Sequence, residues 1–225
     1  CSKMNAVAVV SQSCKAMLQE KLPEIESKLV CIPNMLDAVA IGQKAGNSPY
    51  TGDILHIVSV GRLAPEKHFE NVFPAAKALR QAGIDFAWHV IGDGFERSKL
   101  EALIAENDLK DHVILDGSKT NPYPYMKYAD LFVHPSYVES QGLTVLEAMA
   151  LGVPCVVTKS RGPCEFIEDG INGLLTEQSP ESLTEKVLSI LTDKTLFQSI
   201  KENTVCPEQF APDRVMKQIE ELIDG

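Results

Sequence analysis

The sequence predicts an α/β protein built on a doubly wound parallel sheet. Short apolar runs rich in β-branched residues, typical of buried strands, alternate with stretches whose apolar residues recur at helical spacing. Strands that alternate with helices in this way form parallel sheets covered by helices on both faces. Several of these runs end in glycine, at Gly61, Gly92 and Gly117. Because ligands bind at the carboxyl ends of such strands, these glycines mark the edge where a site is expected.

The individual elements follow from the same two periods. Strands are predicted at 6–10, 28–32, 54–60, 86–91, 113–115, 130–134, 153–158 and 173–175. Helices are predicted at 69–81, 96–107, 144–151, 180–191 and 212–223.

A polar stretch near the start divides the chain. Residues 41–52 are rich in Gly, Asn, Ser and Pro and are interpreted as a loop. They separate a strand–helix–strand segment at 1–40 from the main domain at 53–205, and residues 206–225 form a C-terminal helix. The chain opens on Cys1 rather than Met and enters a strand almost at once, so we expect it to be a fragment of a longer protein.

The composition narrows the class of partner. The 225 residues carry a formal net charge of −10, which argues against nucleic acid and against direct membrane contact by this part of the protein. No apolar stretch approaches the ~20 residues that span a bilayer, and no signal peptide is visible. The six cysteines form no CxxC pair and are expected to be reduced thiols in the cytoplasm.

The densest signal for chemistry lies at 135–154. The helix at 144–151 is apolar nearly all round and should be buried, so the carboxylate of Glu147 needs strong donors there. Helical side chains tilt toward the N-terminus, which directs Glu147 toward the free amides of Gly142, Leu143 and Thr144. Those amides form an anion site. A phosphate site beside a carboxylate that can bind two vicinal hydroxyls predicts a nucleotide.

Two further segments contribute to the same edge. Arg62 and Lys67 follow Gly61, and in an acidic protein this cationic pair at a strand end suits a diphosphate. The Gly92-Asp93-Gly94 turn lacks the third glycine of a dinucleotide fingerprint, so it is interpreted as a tight turn lining the cleft.

In order along 54–205, the segments SVGRLAPEKHFENV, HVIGDGFERSKLE, DLFVHPSYVESQGLTVLEAMALGVPCVVT and GPCEFIEDGINGLL resemble the family 4 retaining glycosyltransferases. Glu139 and Glu147 match the E-x7-E pattern of that family, which has the GT-B fold of two Rossmann-like halves. The resemblance implies that this chain is the C-terminal, nucleotide-sugar-binding half. The N-terminal acceptor domain is absent, and 1–40 lies at the inter-domain edge.

The resemblance also implies roles for the matching positions. Arg62 and Lys67 would stabilise the departing diphosphate, and Glu139 would contact the transferred sugar, which makes these three the candidate catalytic residues. The implied donor-binding residues are Gly61, Asp93, Gly94, Ser118, Lys119, Gly142, Leu143, Thr144 and Glu147.

The implied activity is that of a retaining hexosyltransferase that uses a UDP- or GDP-linked sugar and needs neither metal nor cofactor. The acceptor, a glycan or lipid-linked sugar, would bind through the absent domain, so the isolated chain is expected to be inactive. The full protein would be cytoplasmic, peripheral at the inner membrane through that domain, and would act in polysaccharide biosynthesis. A sugar-nucleotide 2-epimerase and a non-catalytic nucleotide-sugar-binding module are the alternatives.

Several residues carry secondary interpretations. The family often has Phe where this chain has Gln141, so the packing of the sugar at this position does not carry over. His89 and His134 are interpreted as packed structural residues. The tyrosines at 123, 125 and 128 are expected to pack in the core or at its rim, and Glu165 fits a helix N-terminus and a cleft residue equally well.

Overall fold

The computed structural model describes residues 5–224 and contains a six-stranded parallel sheet, a separate two-stranded parallel sheet and flanking helices. The strands are β1 (Val7–Val9), β2 (Leu29–Cys31), β3 (Leu55–Val60), β4 (Phe86–Ile91), β5 (Val113–Gly117), β6 (Leu131–His134), β7 (Cys155–Thr158) and β8 (Leu174–Thr176). The helices are α1 (Gln12–Lys21), α2 (Ala38–Lys44), α3 (Val72–Gln81), α4 (Arg97–Glu106), α5 (Tyr123–Lys127), α6 (Leu143–Ala150), α7 (Pro180–Thr192), α8 (Lys194–Asn203) and α9 (Pro212–Asp224). The predicted α/β class and parallel sheet are confirmed.

Three helices differ from the sequence-based expectation. The pattern predicts none of α2, α5 and α8, and α2 occupies the first residues of the predicted loop 41–52. Asp37 starts α2 by accepting a hydrogen bond from the Ala40 amide at 2.9 Å. Asp193, the one residue between α7 and α8, caps α8 through the amides of Thr195 and Leu196. Side-chain caps thus start α2 and α8, whereas α5 follows Pro122 without one.

The large sheet buries both faces, as its strand sequences require. Consecutive strand residues point to opposite faces, and Ile57 and Val133 pack on one side while Val58 and Phe132 pack on the other. Helices α3 and α7 cover the first face, and α2, α5 and α6 cover the second. Each fully buried Leu, Ile or Phe side chain contributes ~1.5–3 kcal/mol relative to exposure. The alternation therefore fixes the register of the sheet.

Two buried polar side chains in the sheet, those of Trp88 and Ser59, are hydrogen-bonded to each other. The Trp88 indole is fully buried and donates to Ser59 Oγ at 3.1 Å. The Ser59 hydroxyl donates in turn to the Val133 carbonyl at 2.6 Å. This chain of bonds connects β4, β3 and β6 and avoids the cost of an unpaired buried donor.

The strand order β5-β4-β3-β6-β7-β8 places a topological switch point between β3 and β6. From β3 the chain proceeds outward to β4 and β5, then returns to β6 on the other side of β3 and proceeds to β7 and β8. The loops that follow β3 and β6 therefore diverge and leave a crevice at the carboxyl edge. Ligands of doubly wound sheets bind in such crevices.

The loops after β3 and β4 meet backbone to backbone. A Cβ atom added at Gly92 would lie 1.8 Å from the Gly61 carbonyl oxygen, and one added at Gly94 would lie 2.2 Å from the Leu63 carbonyl oxygen. No side chain larger than hydrogen fits at either position without a shift of the facing backbone.

Residues 5–36, called the β1–β2 segment below, form a small unit with its own core of Val9, Ile25 and Leu29. Within the described residues the cysteines are free thiols, namely Cys14, Cys31, Cys155, Cys164 and Cys206, and Cys1 lies outside them. Among residues 5–224, no helix combines the length and apolar character needed to cross a membrane.

Replacing Gly94 with Ala should lower the free energy of unfolding by about 3 kcal/mol or more, because the new methyl group overlaps the Leu63 backbone. Gly42 in α2 has no atom within 4 Å of such a methyl group, so Gly42→Ala is the matched control and should stabilise by roughly 0.5–1 kcal/mol. Urea unfolding at neutral pH measures both. Equal midpoints for Gly94→Ala and the parent chain would show that the loops are not in contact.

Candidate functional site

A groove of two adjoining hollows lies at the carboxyl edge of the large sheet. The α6 hollow, of about 500 Å³, is lined by residues after β3 and by the β6–α6 loop. The β4 hollow, of about 270 Å³, is lined by residues after β3, β4 and β5. Val60, Gly61 and Arg62 line both, so the two hollows form one continuous groove at the switch point.

The groove gathers most of the residues that the sequence singles out. In the α6 hollow these are Gly61, Arg62, Lys67, Glu139, Gly142, Leu143 and Thr144. In the β4 hollow they are Gly61, Arg62, Asp93, Ser118 and Lys119. Gly94 and Glu147 line neither hollow: Gly94 lies against the Leu63 backbone, and Glu147 lies one helical turn into α6.

Glu139 is the most tightly held carboxylate of the groove. Lys67 Nζ donates to its Oε1, and His134 Nε2 lies 2.7 Å from the same oxygen. The Glu139 side chain is 14% exposed and that of His134 is 4% exposed. Burial alone would raise the pKa of Glu139, but the hydrogen bond and charge of His134, together with Lys67, outweigh it and lower the pKa to about 2. Glu139 is therefore ionised at neutral pH.

His134 corrects an expectation from the sequence. Its interpretation as a purely packed residue is incomplete, because the buried ring also orients Glu139. The available sequence signal is position: His134 is the last residue of β6, at the edge where the groove lies.

Arg62 and Lys67 differ in their freedom. Arg62 Nη2 pairs with Glu66 Oε1 at 2.9 Å, but the Arg62 side chain is 69% exposed, so this pair holds it weakly. The Lys67 side chain is 19% exposed and is held by Glu139. The Glu66 carbonyl also accepts from Ser136 Oγ at 3.1 Å, which ties the loop after β3 to the loop after β6.

The N-terminus of α6 presents bare backbone to the groove. Gly142 has φ +82°, a conformation that favours glycine, and no side chain caps the helix. A Cβ atom at Gly142 would lie 2.7 Å from Pro163 Cγ. The first amides of α6, those of Leu143 and Thr144, therefore face the hollow with the positive end of the helix dipole, which is an anion-binding arrangement.

Glu147 has a partner that the sequence reasoning missed. The expected contact with the α6 amides is not the one observed: Tyr123 donates its hydroxyl to Glu147 Oε1 at 3.0 Å. Burial raises the pKa of Glu147, and burial with the Glu147 charge raises the pKa of Tyr123 to about 12. The two residues lie 24 positions apart, and no local pattern connects α5 to α6.

Of the other two tyrosines, Tyr125 packs against the core as expected, whereas Tyr128 is exposed. The Tyr125 carbonyl accepts from the Tyr50 hydroxyl at 2.7 Å, and the Tyr128 hydroxyl donates to the Gly46 carbonyl at 2.9 Å. Lys119, at the rim of the β4 hollow, lies 5.3 Å from the centre of the Tyr125 ring.

His89, like His134, holds a carboxylate near the groove. Its Nδ1 lies 2.7 Å from Asp116 Oδ2, and Lys119 Nζ lies 4.0 Å from Asp116 Oδ1. This contact anchors the end of β5 just before Ser118. Within the part of the chain that the structure describes, no group of three or more His, Cys, Asp or Glu side chains is placed to hold a metal ion.

Comparison with known proteins places these features in a family. The family model described as "Glycosyl transferases group 1" matches residues 47–205. The chain is 34% identical over 224 residues to the exopolysaccharide phosphotransferase SCO2592 of Streptomyces coelicolor. The alignment covers 97% of this chain and 23% of that protein. The chain is also 34% identical over 151 residues to the alpha-D-kanosaminyltransferase of Streptomyces kanamyceticus, covering 65% of this chain and 39% of that protein. The chain thus spans less than half the length of these relatives.

Solved structures share the fold of the whole chain. Staphylococcus aureus TarM, in complex with fondaparinux, alpha-GlcNAc-glycerol and UDP, superposes with a TM-score of 0.84 at 23% identity, covering 100% of this chain and 45% of that one. Anabaena Alr3699/HepE, in complex with UDP and glucose, superposes with a TM-score of 0.82 at 22% identity, covering 98% of this chain and 63% of that one. These structural neighbours are GT-B glycosyltransferases.

Replacing each glutamate with Gln should change stability in opposite directions. Glu139→Gln should lower the free energy of unfolding by roughly 2 kcal/mol at neutral pH, because it leaves Lys67 and His134 without a carboxylate. Glu147→Gln should raise it, because burial disfavours the charged form of Glu147.

The pH dependence of the free energy of unfolding gives the control for the Glu139→Gln and Glu147→Gln variants. The folded pKa of Glu139 is lowered, so its contribution is present above the ordinary value of 4.5 and is lost as pH falls toward about 2. The folded pKa of Glu147 is raised, so the gain from Glu147→Gln is full above that raised pKa and disappears below 4.5. Chemical unfolding over an acidic pH series measures both, and parallel curves for the two variants would contradict the assignment.

Proposed function

The chain belongs to the group 1 glycosyltransferases, and from that membership we propose that it is the donor-binding half of a retaining, family 4 type enzyme that uses a UDP-linked hexose. The observation that carries the proposal is the α6 hollow itself. It brings Arg62, Lys67 and the uncapped N-terminus of α6 around one space, with Glu139 on its wall.

The diphosphate accounts for the positive side of the groove. In this proposal its oxygens accept from the amides of Leu143 and Thr144 and from Arg62 and Lys67. Helix amides and a guanidinium fork suit phosphate geometry, and both hold charge without a metal ion. Lys67 pairs with Glu139 and lines the same hollow as the α6 N-terminus, which positions the ammonium group for a phosphate there.

The nucleoside occupies the rest of the groove in this proposal. The base lies in the β4 hollow, where the backbone after β5 at Ser118 and Lys119 forms the wall opposite Asp93. Glu147 binds the ribose hydroxyls after it exchanges the Tyr123 hydroxyl for the sugar. UDP is favoured because TarM and Alr3699/HepE, which share this fold, were solved with UDP.

The chemistry proposed for the groove is electrostatic. Breaking the bond between the anomeric carbon and the diphosphate places negative charge on the leaving group, and Arg62, Lys67 and the α6 dipole stabilise it. Removing one such cation should reduce the rate by roughly 10²–10³-fold. Glu139 faces the transferred hexose, and its ionised carboxylate accepts hydrogen bonds from the sugar hydroxyls or stabilises positive charge on the ring.

The acceptor belongs to the longer protein in this proposal. The chain covers less than half of several glycosyltransferase relatives. A second domain across the groove would bind the acceptor, place its hydroxyl at the sugar and exclude water. Relatives named for exopolysaccharide, lipopolysaccharide core and amylovoran chemistry favour a glycan or lipid-linked acceptor in polysaccharide biosynthesis, on the cytoplasmic side of the membrane.

Calorimetry with UDP in the presence of EDTA should show binding to this chain without metal. Arg62→Ala and Glu147→Ala should each weaken the affinity about tenfold or more, since each removes charge-assisted hydrogen bonds. Arg80→Ala is the matched control, because Arg80 lies on α3 and pairs with Asp108 away from the groove.

Comparison with GDP and ADP in the same titration tests the choice of base. If Arg62→Ala and Glu147→Ala both bind UDP as tightly as the parent chain, the proposed placement of the nucleotide is contradicted. Incubation of the full-length protein with UDP-glucose separates the alternatives: a 2-epimerase releases an epimer without acceptor, whereas a transferase gives at most slow hydrolysis.

A further inference from the structure

Gln141 connects the β6–α6 loop to the β1–β2 segment. It lies between Glu139 and Gly142 in sequence, lines the α6 hollow with them, and is only 4% exposed. Its Oε1 accepts from the Asn34 amide at 2.7 Å and from Asn34 Nδ2 at 2.9 Å, and its Nε2 donates to the Asn34 carbonyl at 3.0 Å. One side chain thus satisfies both backbone polar groups and the side-chain amide of a residue 107 positions away.

Asn34 connects this contact to the β1–β2 segment. It follows β2 by three residues, and the β2 end is itself held because the Ile32 amide donates to the Val9 carbonyl at 2.8 Å. Asn34 and Val10 of this segment also line the α6 hollow. The segment therefore contributes part of the groove wall, and Gln141 fastens that part to the loop that carries Glu139.

A second contact fixes the opposite side of the same loop. The Gly162 amide donates to the Glu139 carbonyl at 3.2 Å, and a Cβ atom at Gly162 would lie 2.4 Å from Gln141 Cα. The Glu139–Gly142 loop is therefore confined between Gly162 and Asn34. A buried amide side chain that makes three hydrogen bonds in such a place is costly to displace, because each freed donor or acceptor would remain out of water.

Glu165 anchors the segment independently of Gln141. Its carboxylate accepts from the Gln12 amide at 3.0 Å and from the amide and hydroxyl of Ser13 at 2.7 and 2.6 Å, at the N-terminus of α1. The structure places Glu165 at a helix N-terminus, that of α1 in the β1–β2 segment, and Glu165 also lines two surface hollows, so it is both a helix-terminus residue and a cleft residue. The segment thus stays attached when the Gln141 contact is lost.

We propose that Gln141 is a positioning residue. It couples ligand binding in the α6 hollow to how firmly the β1–β2 segment is held at Asn34. The inference rests on the proposed function in that the occupant is a nucleoside diphosphate. A diphosphate seated on the α6 amides restrains the Glu139–Gly142 loop, and the restrained loop holds Asn34 in place. Because coupling between two sites is reciprocal, a firmly held Asn34 strengthens nucleotide binding by the same factor.

The test compares Gln141→Met with the parent 225-residue chain. Met matches Gln in length but makes none of the three hydrogen bonds. Gln198→Met is the matched control, because Gln198 lies on α8 and bonds only Glu202 among the described residues. Amide hydrogen exchange at Ile32, which does not line the hollow, is measured with and without saturating UDP, and UDP affinity is measured by calorimetry.

In the parent chain and in Gln198→Met, UDP should slow exchange at Ile32 by about fivefold or more. In Gln141→Met this slowing should be lost and the UDP affinity should fall by a similar factor. Asn34→Ala removes the Nδ2 bond alone and should weaken UDP binding by about two- to fourfold, with no further loss in the double variant. Should Gln141→Met disturb folding, the single variant Asn34→Ala keeps the test decisive: UDP binding and protection of Ile32 equal to those of the parent chain would overturn the proposal.

The outcomes separate the two proposals. The proposal is overturned if Gln141→Met binds UDP as tightly as the parent chain, or if UDP still slows exchange at Ile32 in Gln141→Met. The coupling would then proceed through Val10 or not exist. If the parent chain shows no affinity for UDP, the proposed function fails and the coupling fails with it. Binding in the parent chain with equal protection in all variants overturns the coupling alone.

Discussion

The groove depends on one buried interaction, the contact of Glu139 with Lys67 and His134. Lys67 comes from the loop after β3, His134 ends β6 and Glu139 lies in the loop after β6, so their contact bridges the two strands at which the sheet changes direction. A buried carboxylate is stable there only because two donors reach the same oxygen. Without it the two loops would be joined chiefly through the Glu66 carbonyl, and the hollow between them would lose its defined shape.

The two glutamates of the E-x7-E pattern, Glu139 in the loop before α6 and Glu147 on α6, have opposite environments. Glu139 accepts from Lys67 and His134 and has a lowered pKa, so it remains ionised at neutral pH. Glu147 is buried with one neutral donor and has a raised pKa. A buried carboxylate with one side-chain donor gains from further hydroxyl donors, which is consistent with the proposed contact between Glu147 and ribose.

The sequence predicts the fold well because the information is local. Runs such as LHIVSV and FAWHVI define strands by their composition, and the strand–helix alternation then leaves few topologies. The groove residues that follow strand ends are also placed by this reasoning, since the carboxyl ends of parallel strands share one edge. What escapes is the set of contacts between distant positions: Tyr123 with Glu147, and above all Gln141 with Asn34. These depend on how α5, α6 and the β1–β2 segment pack, which no local pattern encodes.

A crystal structure of this chain with UDP, grown in EDTA, tests the central claim most directly. The account predicts phosphate oxygens within roughly 3 Å of the amides of Leu143 and Thr144 and of Lys67 Nζ, with the ribose hydroxyls on Glu147. Lys67 would then divide its donors between Glu139 and the phosphate. UDP bound elsewhere on the chain, or bound with its phosphates away from the N-terminus of α6, would contradict the account.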